Sequence, residues 1–285
     1  MHSARELVSN IQTLVSLPTV YLRVREQLDS PSGSTTEVAR AVSADPALTA
    51  RLLRVVNSAF YSLGGEIDTL GRAVTILGLQ QVHDLVLAMS IGSAFAGITP
   101  KHLDTAQFWR GSVMCGLATR EVGRGCGLPT AERLFVVGLL ADIGHLVIHQ
   151  TLPELAQEAR ALAETTEEPL HKIEQRIIGC DYSEVGATLL NQWRLPLSFA
   201  EVVGAQTNPR LGGENAYEAA IVHVAAHIVR ADQRCEASDT AAARIDPTIW
   251  AQLEMGPEDL APIRQECELN LAAYVSLFFP NLRRS

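Results

Sequence analysis

Apolar residues recur along this chain at spacings of three and four. No stretch alternates apolar and polar positions with the β-branched enrichment of a strand. The pattern predicts helices throughout and no sheet, an all-α protein. Residues 5–28 read as two helices broken at Leu17–Pro18. Ser34–Thr35–Thr36–Glu37 has capping-box form, so a helix starts there and runs to about Val42. Asp45–Pro46 starts the next, with a core stripe of Leu48, Leu52, Val55 and Val56. Asp68 is expected to cap a short helix that stops at Gly78, and Leu79–Phe95 reads as a long apolar one. Beyond a break at Ala96–Asp104, helices are predicted at 105–123, 131–149, 153–164, 169–178, 182–193, 197–204, 215–232, 247–254 and 258–279. A lobe boundary in that break gives two lobes, 1–98 and 99–285, the second with a C-terminal helical extension.

The most apolar stretch is Ala131–Gln150. It is expected to form one helix of about five turns running through the core. Asp142, His145 and His149 share one of its faces by i+3 and i+4 spacing. An unpaired buried carboxylate is very costly, so Asp142 needs a partner, a metal or water. The plain reading makes it an acceptor for buried donors, such as the indole N–H of Trp109 or Trp193 or a helix N-terminus. His145 and His149 then read as polar residues where the helix leaves the core.

Composition narrows the classes. The chain has 285 residues, 47% of them hydrophobic and 19% charged, enough material for a large core. A net charge of −9 argues against a general polyanion binder, since phosphate contacts need clustered Lys and Arg. No apolar signal region opens the sequence, and no apolar run reaches the roughly 18 residues needed to span a bilayer. Cys115, Cys126, Cys180, Cys235 and Cys267 are dispersed without a CxxC pair, which fits a reducing cytosol. The location expected is therefore cytoplasmic, with no membrane partner.

Several segments in fixed order carry a resemblance. They are LPTV at 17–20, DPALTARLLRVVNSAFY at 45–61, IDTLGRAVTILGL at 67–79 and LVLAMSIGSAF at 85–95. FW at 108–109, GLLADIGHLVI at 138–148, EVGATLLNQWRLP at 184–196 and IVHVAAHIV at 221–229 follow. Over nearly its whole length the chain resembles the HDOD domain, the HD-related output domain of bacterial signalling proteins. The resemblance implies a helical-bundle first lobe and an HD-like second lobe related to metal-dependent phosphohydrolases. In those enzymes His and Asp side chains from several helices hold one or two metals that activate water. Carried over, the first ligand histidine falls on Gly111 and the His–Asp pair on Ala141–Asp142. The histidine before EVGA falls on Tyr182, a His–His pair on Gln206–Thr207, and a late aspartate on Ala226. Only Asp142 keeps a ligand side chain, too few for a catalytic metal.

The resemblance so implies a non-catalytic regulatory module, without cofactor, that acts on signalling proteins through protein contacts or a small ligand. Two alternatives come from other classes. One is a phosphohydrolase with a relocated site built from Asp142, His145, His223 and His227, the last two at the i,i+4 spacing of a helical metal clip. The other is a DNA-binding regulator using the helix-turn-helix-like hairpin at 35–57, where Arg40, Arg51 and Arg54 give thin phosphate cover. Candidate ligand or partner contacts are Asn57, Ser58 and Tyr61, whose favoured reading is a stitched helix end with a packed ring, together with Arg110, Asp142 and His145. Arg110, Arg120 and Arg124 are expected at the surface, and Glu164, Glu167 and Glu168 in a solvated loop and helix start.

Overall fold

Local signals set most helix ends. Ser34 accepts from the Glu37 amide at 3.2 Å, Asp45 from Leu48 at 3.0 Å, and Asp104 from Ala106 and Gln107. Asp181 does the same for Ser183 and Glu184, while Gly78 ends one helix with φ 85. A computed structural model of the chain describes residues 1–11, 15–30, 34–58, 61, 65–95, 98–129, 131–166, 168–280 and 282. No strand occurs among them. The helices are α1 (Ala4–Ile11), α2 (Thr19–Asp29), α3 (Thr35–Ser43), α4 (Pro46–Val56), α5 (Leu70–Leu77), α6 (Leu79–Ala94), α7 (Thr105–Gly125), α8 (Ala131–Leu140) and α9 (Ile143–Thr151). They continue as α10 (Pro153–Thr165), α11 (Leu170–Ile177), α12 (Tyr182–Gln192), α13 (Leu197–Ala205), α14 (Ala216–Gln233), α15 (Ser238–Ala242), α16 (Pro247–Leu253) and α17 (Leu260–Phe278).

The chain divides into two compact units. One comprises 15–97 and 273–285, the other 1–14 and 98–272. Neither is a continuous segment, in contrast to a division into 1–98 and 99–285. α1 joins the larger unit because its apolar face, Leu7, Val8 and Ile11, packs against α9 and α12. The last residues join the smaller unit, where the Phe279 ring covers Gly92 of α6. In that unit α2 and α5 flank α3, and α6 packs on α2, α4 and α5. Tyr21, His83 and Asp84 form a buried polar chain, with Tyr21 Oη 3.0 Å from His83 Nε2 and His83 Nδ1 3.0 Å from Asp84 Oδ1.

In the larger unit α7 pairs along α8 and α14, and α12 packs on α9 and α13. Glycines permit the closest approaches. A Cβ on Gly144 would lie 2.8 Å from the Gly186 amide nitrogen and closer still to the Tyr182 carbonyl oxygen, so α9 and α12 cross almost backbone to backbone. Three expectations change here. The 131–150 stretch is two helices rather than one, because the chain tightens to Ala141 N–Gly138 O and His145 N–Asp142 O bonds at Ala141–Asp142. The cap of α5 is Thr69, which accepts from the Arg72 amide, and not Asp68. Arg120 is buried, its guanidinium held on Glu121 Oε1 at 2.6 and 2.9 Å, rather than a surface charge.

Candidate functional site

The break between α8 and α9 is held from outside. Gln206, at the end of α13, donates through Nε2 to the Ala141 carbonyl at 2.6 Å and to Val203 at 3.0 Å. The Gln206 backbone carbonyl in turn accepts from His223 Nδ1 at 2.7 Å. That bond puts the His223 proton on Nδ1 and leaves Nε2 as an acceptor. Gln206 is buried, and its Oε1 has no partner among the described residues.

On α14, His223, Ala226, His227 and Arg230 lie along one stripe by i, i+3, i+4 and i+7 spacing. Arg230 Nη2 donates to the Tyr182 hydroxyl at 2.9 Å. The Tyr182 ring, at the start of α12, stacks on His145 with centroids 4.2 Å apart. His145 Nδ1 lies 3.4 Å from Glu174 Oε1, and the other oxygen of Glu174 accepts from the Tyr182 amide at 2.9 Å. The buried Glu174 thus ties α11 to both α9 and α12.

The electrostatics follow from burial. Tyr182 is pushed well above the usual phenol range, chiefly by desolvation, and so stays protonated. Arg230 is held above its ordinary value by Tyr182 and, against the cost of burial, by the charge of Asp142. Burial, helped by Arg230, pushes His227 down to about 2, and burial lowers His223 as well. Both imidazoles are neutral at pH 7.

The positions marked by the resemblance converge on this region. Ala141, Tyr182, Gln206, Gly111 and Ala226 are buried, Asp142 half-buried. Ala141 and Gln206 are bonded to each other, and a Cβ on Gly111 would meet Val229 and Gln233 of α14. Asp142 differs from its plain reading. It stands at the N-cap of α9 without making a capping bond, and its carboxylate takes no hydrogen bond or salt bridge among the described residues. His149 also differs: it is buried, with Nδ1 on the Lys101 carbonyl at 3.2 Å, instead of marking an exit from the core.

These residues do not fit a metal of the HD type. Gly111, Ala141 and Ala226 offer no side-chain donor atom, and the Gln206 amide nitrogen is already spent on two carbonyls. His145 is directed to Glu174 and Tyr182, and His223 to the Gln206 carbonyl, with the His223 and His227 rings 4.8 Å apart. Among the described residues no three His, Cys, Asp or Glu side chains form a group able to hold a metal ion.

The remaining candidates lie elsewhere. Arg110 is mostly exposed and sits 3.9 Å from Asp232. Asn57 caps the end of α4, donating to Leu53 and Ile67 and accepting from the Ile67 amide at 2.7 Å, while the Ser58 hydroxyl bonds to Val55. Tyr61 bonds back to Ser58, and residues 59, 60 and 62–64 lie outside the described residues. Glu168 pairs with Arg176 at 2.8 Å, and Glu167 is outside the described residues. Sequence reasoning missed Arg230 and Glu174. Arg230 was within reach, four residues after Ala226 and three after His227; Glu174 had no local signal.

Comparison with known proteins adds the following. The sequence model of the HDOD domain matches residues 14–209. The solved structure of an HDOD domain protein with unknown function from Geobacter sulfurreducens is 20% identical, covers 97% of this chain and 98% of that chain, and has a TM-score of 0.73. A Shewanella amazonensis SB2B protein, provisionally named a phosphohydrolase, is 23% identical over 97% of this chain and 98% of its own, with a TM-score of 0.71. At these identities the likeness is one of fold. An uncharacterized protein of Treponema pallidum (strain Nichols) is 22% identical over 194 residues, 68% of this chain and 37% of that protein, so the chain spans well under half of that relative.

Proposed function

The chain belongs to the HDOD domain family, and from that premise we propose that it is a regulatory module of bacterial signalling rather than a hydrolase. One observation carries this reading. Apart from Asp142, the side chains at the HD ligand positions are either without donor atoms or turned to bonds within the protein, as in Gln206 to Ala141 and Tyr182 to Arg230. Metal-assisted hydrolysis needs three or more fixed ligands with an open position, and this donor set supplies one carboxylate. A module of this kind acts by presenting a surface to a signalling protein in a state set elsewhere.

The hairpin of α3 and α4 is not the acting surface on DNA in this reading. Its recognition-like helix buries Leu48, Leu52, Val55 and Val56. Arg51 turns toward the Met89 carbonyl at 3.4 Å and Arg40 pairs with Glu37 at 2.7 Å, which leaves little charge for phosphates. No single helix among the described residues is long and apolar enough to cross a membrane. We propose a cytoplasmic location, which the dispersed thiols support.

The test combines three measurements on the purified chain. Elemental analysis after dialysis should find no stoichiometric Zn, Mn or Fe. An aryl phosphoester and cyclic dinucleotides with added Mn²⁺ or Mg²⁺ should not turn over above background. Pull-down from the native host should return a signalling protein. Stoichiometric metal together with turnover abolished by Asp142→Ala would overturn the proposal.

A further inference from the structure

α1 is held on the larger unit by apolar contact almost alone. Its stripe of Ala4, Leu7, Val8 and Ile11, at i, i+3, i+4 and i+7, is buried where the helix packs on α9 and α12. Its polar side chains bond only among themselves. His2 lies 3.4 Å from Glu6, Ser3 accepts from the Glu6 amide at 3.2 Å, and Ser9 donates to the Arg5 carbonyl at 2.8 Å. Among the described residues, one hydrogen bond joins 1–11 to the rest of the chain: the His2 amide donates to the Ile178 carbonyl at 2.7 Å. A helix of 8 residues does not persist alone in water, so α1 is helical because it is docked. It can leave its seat by parting apolar surfaces and breaking one main-chain bond, with no buried ion pair to separate.

That one bond falls at a sensitive place. Ile178 and Gly179 lie in the turn from α11 to α12, and their amides both return to the Glu174 carbonyl, at 2.7 and 3.3 Å. The Glu174 carboxylate accepts from the Tyr182 amide at 2.9 Å through one oxygen, and its other oxygen lies 3.4 Å from His145. Gly179, at φ 107, brings the turn so near α1 that a Cβ there would fall 2.8 Å from the His2 carbonyl oxygen. α1 therefore meets α9, α12 and the turn between α11 and α12, the same parts that Glu174 ties together.

We propose that α1 is a releasable strap. Docked, it braces the turn at 178–181 and with it the hold of Glu174 on Tyr182 and His145. Released, it unfolds, frees that turn and uncovers apolar surface on α9 and α12. The role rests on the regulatory reading, in which docked and released are the two states between which the module switches.

The experiment follows amide hydrogen exchange of the whole chain by mass spectrometry. In the parent, α1 should exchange at least about tenfold faster than α9 and α12, as a separately opening segment does. Leu7→Ser/Val8→Asp releases α1 and should speed exchange at 178–184 by at least about threefold, while α7, α8 and α14 keep the parent's rates and so report a folded protein. A synthetic peptide of residues 1–12 at about 2 mM, in the range of a tethered segment's effective concentration, should return 178–184 of that variant toward the parent's rate. The same peptide carrying both substitutions should not. Ser9→Ala/Asn10→Ala leaves the buried stripe intact and raises helix propensity on the exposed face of α1. It should slow exchange in α1 and at 178–184 together, by about twofold or more, and it tests the coupling without undocking anything. The proposal is overturned if α1 exchanges as slowly as α9 and α12. It is equally overturned if Ser9→Ala/Asn10→Ala slows α1 and leaves 178–184 unchanged, the mark of a helix that merely packs there. Metal content and turnover are read separately from exchange, so the strap and the regulatory reading fail independently.

Discussion

The tightest crossing in the larger unit gives the sharpest stability prediction. In Gly144→Ala the added methyl would fall 2.8 Å from the Gly186 nitrogen and closer to the Tyr182 carbonyl oxygen, both backbone atoms of α12. No rotamer change can relieve backbone contacts, so α9 must move off α12 by on the order of 1 Å, opening a packed interface. Overpacking of this kind costs typically 1–3 kcal/mol, and rigid neighbours place it at the upper end, about 3 kcal/mol. The better helix propensity of alanine returns about 1 kcal/mol, so the net loss is about 2 kcal/mol. Gly71→Ala is the matched control: Gly71 lies on the exposed face of α5, with nothing within 4 Å of its would-be Cβ. It should gain about 0.5–1 kcal/mol, and the change to the unfolded chain is the same in both variants. Urea unfolding followed by far-UV circular dichroism gives both values from midpoints at constant m. If Gly144→Ala loses less than about 0.5 kcal/mol, the backbone crossing described here is wrong.

Other outcomes follow from the same geometry. Glu174→Ala removes the buried acceptor that holds the Tyr182 amide and faces His145, and should destabilise by about 1.5–3 kcal/mol in the same urea assay. Asp142→Ala removes a half-exposed carboxylate with no bonded partner among the described residues, so its midpoint should shift by less than about 0.5 kcal/mol; a loss of several kcal/mol would show a structural role instead. His149 is pushed by burial and by His145 from 6.5 down to about 4. The unfolded chain therefore takes up its proton first, so stability is complete above pH 6.5 and declines toward pH 4, by at most about 1.4 kcal/mol per pH unit. His149→Gln should flatten that part of the stability profile, and an unchanged slope would refute the assignment. Among the thiols, exposed Cys235 should react with a disulfide reagent in the native state well before buried Cys115, Cys180 and Cys267, as read by mass spectrometry.

Helix ends were legible where a neighbouring residue closes them. Ser34 and Asp45–Pro46 do so as caps and Gly78 by its left-handed backbone, and the ends predicted from them lie within a residue or two of those observed. The error at Asp68 is a choice between two adjacent oxygen-bearing side chains, of which Thr69 is the one that reaches the Arg72 amide. The break at Ala141–Asp142 was not legible, because no proline or local cap causes it. It depends on Gln206 arriving from α13 and on α12 lying against Gly144. Spacing along Ala131–Gln150 says that the stretch is buried, which it is, and cannot say that a distant amide interrupts it. The candidate site divides likewise. Its alanine, glycine and glutamine substitutions are visible in the sequence, whereas the pairing of Arg230 with Tyr182 and the bridging of Glu174 join residues from separate helices.

The interleaved division of the chain sets an order of events during synthesis. α1 is made well before its partners: α9 and α12 follow after about 130 and 170 further residues, on the order of 10–30 s at typical elongation rates. For that time its face of Leu7, Val8 and Ile11 is uncovered. The smaller unit waits longer still, since it needs residues 273–285 as well as 15–97. A chain stalled or cut near residue 98 therefore carries an orphan α1 and lacks Phe279 over Gly92, two exposed apolar surfaces for a chaperone or protease to find. Quality control can thus distinguish copies that carry both closing segments from copies that lack them.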